Sequence, residues 1–108
     1  MPDVPEIDIA VLETQMAAGV VVVDVREDDE YTDGHVSGAL LIPLGTVPER
    51  FDEIPTDQPV YVICARGSRS ARAVQFLRAK GVDATNVAGG TLAWIDSGRP
   101  VVTGSQPG

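Results

Sequence analysis

The residues best suited to chemistry lie in one short segment around the only cysteine of the chain. Cys64 follows the apolar run 60–63 and is followed by a loop of small, basic and hydroxyl-bearing residues. A thiol near arginine side chains and a helix start loses its proton more readily than a free cysteine. The segment therefore predicts a reactive thiolate in positive surroundings.

The residues of this loop suit a small anion. Arg66 and Arg69 supply the positive potential that a thiolate needs to approach a negatively charged molecule. Gly67 lets the loop curl with its amides inward, because glycine adopts a positive φ without steric cost. Ser68 and Ser70 are expected to cap the following helix, and donation to the bound anion is the alternative role. The alternative is an inert buried thiol, and the polar, basic surroundings of the cysteine count against it.

Other candidate residues are assigned structural roles. His35, the only histidine, lies between glycines and is predicted to be a structural hydrogen-bonding residue rather than a base for the cysteine. Trp94 is predicted to anchor the last helix on the sheet. The acidic run 27–30 fits the solvated start of a helix, and we assign it no chemistry. One cysteine and one histidine do not make a metal site of ordinary spacing, so no metal and no cofactor are predicted.

Apolar β-branched runs alternate with helical patterns along the chain. The predicted strands span residues 20–25, 39–42, 60–63 and 85–88. Four helices are predicted: one capped by Asp8, a short one near 46–51, one from Ser70 to about Lys80, and a short one around 92–95. This alternation favours an α/β fold with a parallel sheet. Ligands bind such sheets at the carboxyl ends of the strands, which is where Cys64 falls.

The length and composition fit one domain. With 108 residues, 44% of them apolar, the chain has enough material for one modest core, expected over about 6–102, and residues 103–108 are expected to form a disordered tail. No apolar stretch is long enough to span a bilayer, and the first six residues lack the basic and apolar regions of a signal peptide. A cytoplasmic protein is therefore expected.

The charge is distributed unevenly. The net charge of −8 argues against nucleic acid and against an anionic membrane surface as partners. Of the 16 acidic residues, 14 lie at or before Asp57, whereas five of the eight basic residues lie between positions 58 and 82. An acidic protein therefore carries one electropositive region, and the cysteine lies within it.

Three segments together resemble the rhodanese-like family of single-domain sulfurtransferases. The first runs from Asp24-Val25-Arg26-Glu27 to Gly34-His35-Val36-Ser37-Gly38-Ala39. The second is the loop Cys64-Ala65-Arg66-Gly67-Ser68-Arg69, followed by Ser70. The third is Gly89-Gly90-Thr91-Leu92-Ala93-Trp94, with Gly98 and Pro100. The three occur in the family's order and spacing and cover nearly the whole chain.

The resemblance implies a rhodanese-like fold, a parallel sheet of about five strands flanked by helices on both faces. It also implies transfer of sulfane sulfur from thiosulfate or a similar anionic donor through a persulfide on Cys64. Asp24 and Arg26 match supporting positions of the family. The implied substrate-binding residues are those of the loop, with the amides of residues 65–69 around the sulfur: Ala65, Arg66, Gly67, Ser68, Arg69 and Ser70. The implied acceptor is cyanide in an assay, and a thiol, thioredoxin or a sulfur-carrier protein in the cell.

Two other functions stay open at this point. A cysteine-dependent phosphatase or arsenate reductase of related fold would place five residues between its cysteine and its arginine, which here puts an arginine at position 70. Ser70 stands there and Arg69 comes one residue early, so the shorter loop suits a single sulfur atom better than a phosphate. A non-catalytic rhodanese-like binding module is the other possibility, and an intact Cys64 with two loop arginines counts against it.

Overall fold

Helices and strands alternate along the chain, as the sequence predicts. The computed structural model describes residues 4–108, so the predicted lack of a signal segment rests partly on positions 1–3, outside the described residues. The strands are β1 (Glu6–Ile7), β2 (Val21–Asp24), β3 (Leu40–Leu41), β4 (Val60–Ile63) and β5 (Ala84–Val87). The helices are α1 (Ile9–Met16), α2 (Asp28–Asp33), α3 (Val47–Arg50), α4 (Ser68–Ala79) and α5 (Gly90–Asp96). Short 3₁₀ turns, Leu44–Thr46 and Phe51–Glu53, flank α3.

No helix within the described part of the chain is long and apolar enough to cross a membrane.

The five strands form one parallel sheet in the order β1-β5-β4-β2-β3. In the centre, Asp24 of β2 pairs with Ile63 of β4, and Val62 of β4 pairs with Asn86 of β5. Because all strands run the same way, their carboxyl ends meet at one edge. Cys64, directly after β4, lies at that edge, and the predicted parallel α/β fold is confirmed.

Apolar side chains cover both faces of the sheet, because successive residues of a strand point to opposite sides. Val23 and Val62 pack with Leu77 of α4 on one face. Val22 packs with Trp94 of α5 on the other face, in a cluster that also contains Leu12 of α1 and Tyr31 of α2. Helices therefore cover both faces, as expected, and Trp94 has its predicted anchoring role.

The boundaries of several elements differ from the predicted ones. Asp8 caps α1 as predicted, since its Oδ1 accepts a hydrogen bond from the N–H of Val11 at 2.9 Å. By contrast, α4 begins at Ser68, and its N-cap is Gly67, which has no side chain. The prediction that a serine caps this helix is therefore wrong. The sequence does not predict β1, because two residues carry too little pattern to indicate a strand.

Composition predicts a disordered tail over residues 103–108, and this segment has backbone hydrogen-bond partners in the structure. Val102 forms an antiparallel bridge with His35, and the N–H of Gly104 donates to the carbonyl of Thr32 at 2.9 Å. The N–H of Gly38 donates to the carbonyl of Pro107 at 2.7 Å. The tail is ordered through its backbone, which pairs with polar groups of residues 32–38, and such pairing leaves no mark in the side-chain composition.

Candidate active site

Cys64 lies at the junction of β4 and α4, and only 1% of its surface is exposed. Its Sγ accepts hydrogen bonds from the N–H of Gly67 at 3.1 Å and from the hydroxyl of Ser70 at 3.3 Å, and the N–H groups of Arg66 and Ser70 face the same sulfur. Burial raises the pKa of the thiol, but these hydrogen bonds together outweigh burial and lower it below its ordinary value. The site therefore favours a thiolate.

The backbone conformation of Gly67 shapes the loop. Its φ is +110°, which side-chain-bearing residues rarely adopt. This turn places the first residues of α4 next to the sulfur, and the N–H groups of a first helical turn have no partners within the helix. The predicted positive φ at Gly67 is confirmed. Of the amides of residues 65–69 that the resemblance implies around the sulfur, that of Gly67 donates to Sγ at 3.1 Å, and that of Arg66 also lowers the pKa of the thiol.

The start of α5 holds the loop from the other side. The N–H of Thr91 donates to the carbonyl of Cys64 at 2.8 Å, and the N–H of Leu92 donates to the carbonyl of Ala65 at 3.0 Å. Gly90 makes this approach possible, because a Cβ there would lie 2.5 Å from each of these two carbonyl oxygens. The segment 89–94, singled out from the sequence, therefore holds the backbone of the cysteine loop 64–69.

Arg69 is bound by a carboxylate of its own chain. Its two terminal nitrogens donate to the two carboxylate oxygens of Glu30 in α2, at 2.7 and 2.9 Å. Chiefly because of this hydrogen-bonded pair, the pKa of Glu30 falls to about 2, and the pKa of Arg69 is raised. Arg69 thus faces Glu30, and the acidic run 27–30 contributes a residue beside the cysteine loop, while substrate binding by Arg69 stays a prediction.

Arg66 has a different environment. It is exposed, and among residues 4–108 no carboxylate forms an ion pair with it. Ser68 is also exposed, on the first turn of α4. Of the two loop arginines, Arg66 is the one whose guanidinium is left for a ligand.

Asp24 and Arg26 form a buried ion pair beneath this edge of the sheet. The Arg26 guanidinium donates to both carboxylate oxygens of Asp24 at 2.9–3.1 Å and to the carbonyl of Gly34 at 2.8 Å. Both side chains are at least 94% buried. The pair ties the end of β2 to the residue that ends α2 and so holds one wall of the site.

A groove of about 290 Å³ opens beside Ala65. Leu92 and Ile95 of α5 line it with apolar side chains that are 37% and 44% exposed. Glu30 and Asp33 of α2 line it with carboxylates. It is much larger than one sulfur atom, and its lining combines apolar side chains with the charged residues Arg26, Glu30 and Asp33.

His35 lies away from the cysteine chemistry. Its ring is buried and stacks on Tyr31 with 3.6 Å between ring centroids. Its Nδ1 lies 2.8 Å from the carbonyl oxygen of Tyr31, and its Nε2 lies 2.9 Å from that of Gln106. The predicted structural role is confirmed.

The sequence analysis missed Asn86, which is 1% exposed in β5. Its Oδ1 accepts a hydrogen bond from the hydroxyl of Ser70 at 2.5 Å. Its Nδ2 donates to Glu6 Oε2 at 3.0 Å and to the carbonyl of Gly67 at 3.2 Å. One signal for Asn86 was available in the sequence, because it is an amide side chain inside a run that otherwise fits a buried strand. A buried polar group of this kind needs hydrogen-bond partners.

This arrangement of sheet, cysteine loop and closing helix can be compared with known proteins. The model of the Rhodanese-like domain family matches residues 8–97. The chain belongs to this family. The family indicated by the three sequence segments is therefore confirmed.

Relatives of this rhodanese-like chain include two curated bacterial proteins. It is 36% identical over 102 residues to a protein of Allochromatium vinosum named "Sulfurtransferase", covering 92% of this chain and 95% of that one. It is 45% identical over 73 residues to the uncharacterised protein YqhL of Bacillus subtilis, covering 67% of this chain and 58% of that one. The chain thus spans less than two thirds of YqhL. The family is one of sulfurtransferase type.

A solved structure supports the fold. The crystal structure of a rhodanese-related protein from Thermoplasma volcanium superposes with a TM-score of 0.86 at 38% identity, covering 91% of this chain and 97% of that one. The rhodanese-like fold, with helices on both faces of a five-stranded parallel sheet, is therefore confirmed.

Proposed function

We propose that this rhodanese-like chain moves sulfane sulfur from thiosulfate, or a similar anionic donor, to a thiophilic acceptor through a persulfide on Cys64. The observation that supports this most strongly is the environment of Sγ. Three N–H groups and one hydroxyl face the sulfur, and no ordinary neutral thiol needs that many donors. A thiolate or a persulfide anion does.

The reaction needs no general base once the thiolate has formed. Sγ attacks the outer sulfur of thiosulfate, the S–S bond of the donor breaks, and sulfite leaves with the electron pair. Cys64 then carries one extra sulfur as a persulfide anion. The acceptor attacks this outer sulfur, the persulfide bond breaks, and the electron pair returns to Sγ as thiolate. With cyanide the product is thiocyanate.

The loop assigns different roles to its two arginines. Arg66, exposed and unpaired among the described residues, attracts the dianionic donor. Arg69 and Glu30 hold α2 against the loop. A phosphatase would need an arginine fork around the equatorial oxygens of a phosphoryl group. The fork of Arg69 already binds the two oxygens of Glu30, and this counts against the phosphatase alternative.

The groove beside Ala65, the residue that follows Cys64, is the proposed binding region for an acceptor. A thiol, thioredoxin or a sulfur-carrier protein is the proposed class of cellular acceptor. The cytoplasmic location stays a prediction from the sequence.

The test is mass spectrometry of the intact protein after exposure to thiosulfate, followed by an assay for thiocyanate after addition of cyanide. We predict one added sulfur atom on wild-type protein and none on Cys64→Ser, whose circular dichroism should match the wild type. Thiocyanate formation by Cys64→Ser at the wild-type rate would refute the proposal. Hydrolysis of an aryl phosphate as fast as thiosulfate turnover would favour the phosphatase.

A further inference from the structure

The hydroxyl of Ser70 has one proton and two acceptors in reach. Asn86 Oδ1 lies 2.5 Å from Ser70 Oγ, and Cys64 Sγ lies 3.3 Å from it. A hydroxyl donates one hydrogen bond, so the two acceptors compete for the same proton. All three side chains are buried, so this competition takes place away from the solvent.

The orientation of the Asn86 amide follows from its other neighbours. Nδ2 lies 3.0 Å from Glu6 Oε2 and 3.2 Å from the carbonyl oxygen of Gly67, and both of these atoms only accept. Turning the amide over would place Oδ1 against two acceptors. Oδ1 must therefore face Ser70, where it accepts.

We propose that Asn86 is a positioning residue that competes with Cys64 for the proton of Ser70. While the sulfur is a neutral thiol, the proton lies on the shorter bond, toward Asn86. When the sulfur becomes an anion, it is the stronger acceptor, because hydrogen bonds to charged groups are about twice as strong as neutral ones. The hydroxyl then rotates toward the sulfur without moving its oxygen.

This competition sets how readily the sulfur ionises. Forming the thiolate breaks the bond between Ser70 and Asn86, so Asn86 limits the stabilisation that Ser70 gives to the anion. The same geometry lets the Ser70 hydroxyl turn toward the sulfur when the sulfur is an anion and back toward Asn86 when it is neutral. The part of the inference that concerns the persulfide rests on the proposed function, whereas the part that concerns the thiolate does not.

The test is a double-mutant cycle on the alkylation of Cys64 by iodoacetamide, which needs no sulfur donor. The rate is measured against pH for wild type, Asn86→Ala, Ser70→Ala and the double variant. Ser70→Ala should move the profile to higher pH. Asn86→Ala should move it to lower pH and raise the rate at about pH 6 by about fivefold, the factor that one ordinary hydrogen bond provides. In the Ser70→Ala background, removing Asn86 should have no effect.

Equal shifts in both backgrounds would overturn the inference, since Asn86 would then act through the Gly67 carbonyl. No shift in either background would overturn it too. If Asn86→Ala fails to fold, Asn86→Val, which fills more of the space and also lacks an acceptor, replaces it. The profile should again move to lower pH with Ser70 present and stay unchanged in the Ser70→Ala background.

The matched control is Thr85→Val, on the neighbouring position of β5, which should leave the profile unchanged. Because persulfide formation is measured separately by mass spectrometry, failure of this inference and failure of the proposed function give different results.

Discussion

Arg66 and Arg69 lie three residues apart in one loop, yet their guanidinium groups have opposite surroundings. Arg69 is held by both oxygens of Glu30, whereas Arg66 is exposed and forms no ion pair within residues 4–108. An ion pair that is already formed contributes little to attracting a further anion. The two arginines should therefore respond differently to substitution.

We predict that Arg66→Ala raises KM for thiosulfate by about tenfold, the effect of one charge-assisted hydrogen bond, and changes stability by no more than about 0.5 kcal/mol. Arg69→Ala should change KM less and lower stability by up to about 1 kcal/mol, because the lost pair is partly exposed. Steady-state kinetics and urea unfolding check this. Arg66→Lys, which keeps the charge, should recover part of the affinity, and equal rises in KM for both alanine variants would contradict the assignment.

Glu30 should make stability depend on pH in a defined window. Its pKa is 4.5 as an ordinary carboxyl and about 2 in the folded protein, so the folded state binds this proton less readily. The stabilisation is complete above pH 4.5 and is lost as pH falls from there toward 2. We predict that Glu30→Gln flattens the fall in the free energy of unfolding across this window. Asp29→Asn, on the same helix and exposed, is the control, and an equally steep fall in Glu30→Gln would show that other groups cause it.

The cysteine loop and α5 act as one structural unit, because two N–H groups of α5 bind the carbonyls of Cys64 and Ala65. The contact depends on Gly90, where a side chain would collide with backbone rather than with a movable side chain. A second glycine with a positive φ, at an uncrowded position, provides the comparison for Gly90, whose φ is +61°. Gly19 has a φ of +83°, and no heavy atom lies within 4 Å of the position that a Cβ would occupy there.

We predict that Gly90→Ala lowers the free energy of unfolding by about 3 kcal/mol or more and impairs persulfide formation, because the loop must move. Gly19→Ala should cost only the backbone strain, about 1–2 kcal/mol, and should leave persulfide formation unchanged. Chemical denaturation and mass spectrometry after thiosulfate treatment measure the two effects. Similar losses in both variants would mean that strain, not the collision, determines the cost.

Local patterns predicted the parts of this fold that local chemistry determines. The β-branched run of β4, the helix cap at Asp8 and the turn at Gly67 each depend on neighbours in the sequence. By contrast, Arg69 and Glu30 are 39 positions apart, and Asn86 meets Glu6 across 80. Such partners become visible only when the sheet order places β4 beside β2 and β5 beside β1. The conformation of the cysteine loop was therefore predictable, and its supporting contacts were not.

At the scale of the whole molecule, Val102 and the tail that follows it pair with residues 32–38 through backbone atoms. The tail also faces the ring of His35, whose Nε2 lies 2.9 Å from the carbonyl of Gln106. Backbone groups of this small, polar segment are thus the hydrogen-bond partners of Thr32, Gly38 and the His35 ring.

We predict that deleting residues 104–108 lowers the free energy of unfolding by about 1–3 kcal/mol, since the contacts to His35, Thr32 and Gly38 are lost. Thermal unfolding of the shortened and full chains checks this. Ser105→Ala, which leaves the backbone contacts in place, should melt like the wild type. An unchanged melting temperature after the deletion would show that the tail contributes nothing.

The burial of Cys64, the only cysteine, restricts which molecules could accept sulfur from a persulfide on it. The chain has no second thiol, so a persulfide on Cys64 cannot collapse into an internal disulfide. The outer sulfur of the persulfide stands about 2 Å further out than Sγ. If Cys64 carries sulfur as proposed, the acceptor therefore needs a nucleophile that projects far enough to reach this outer sulfur.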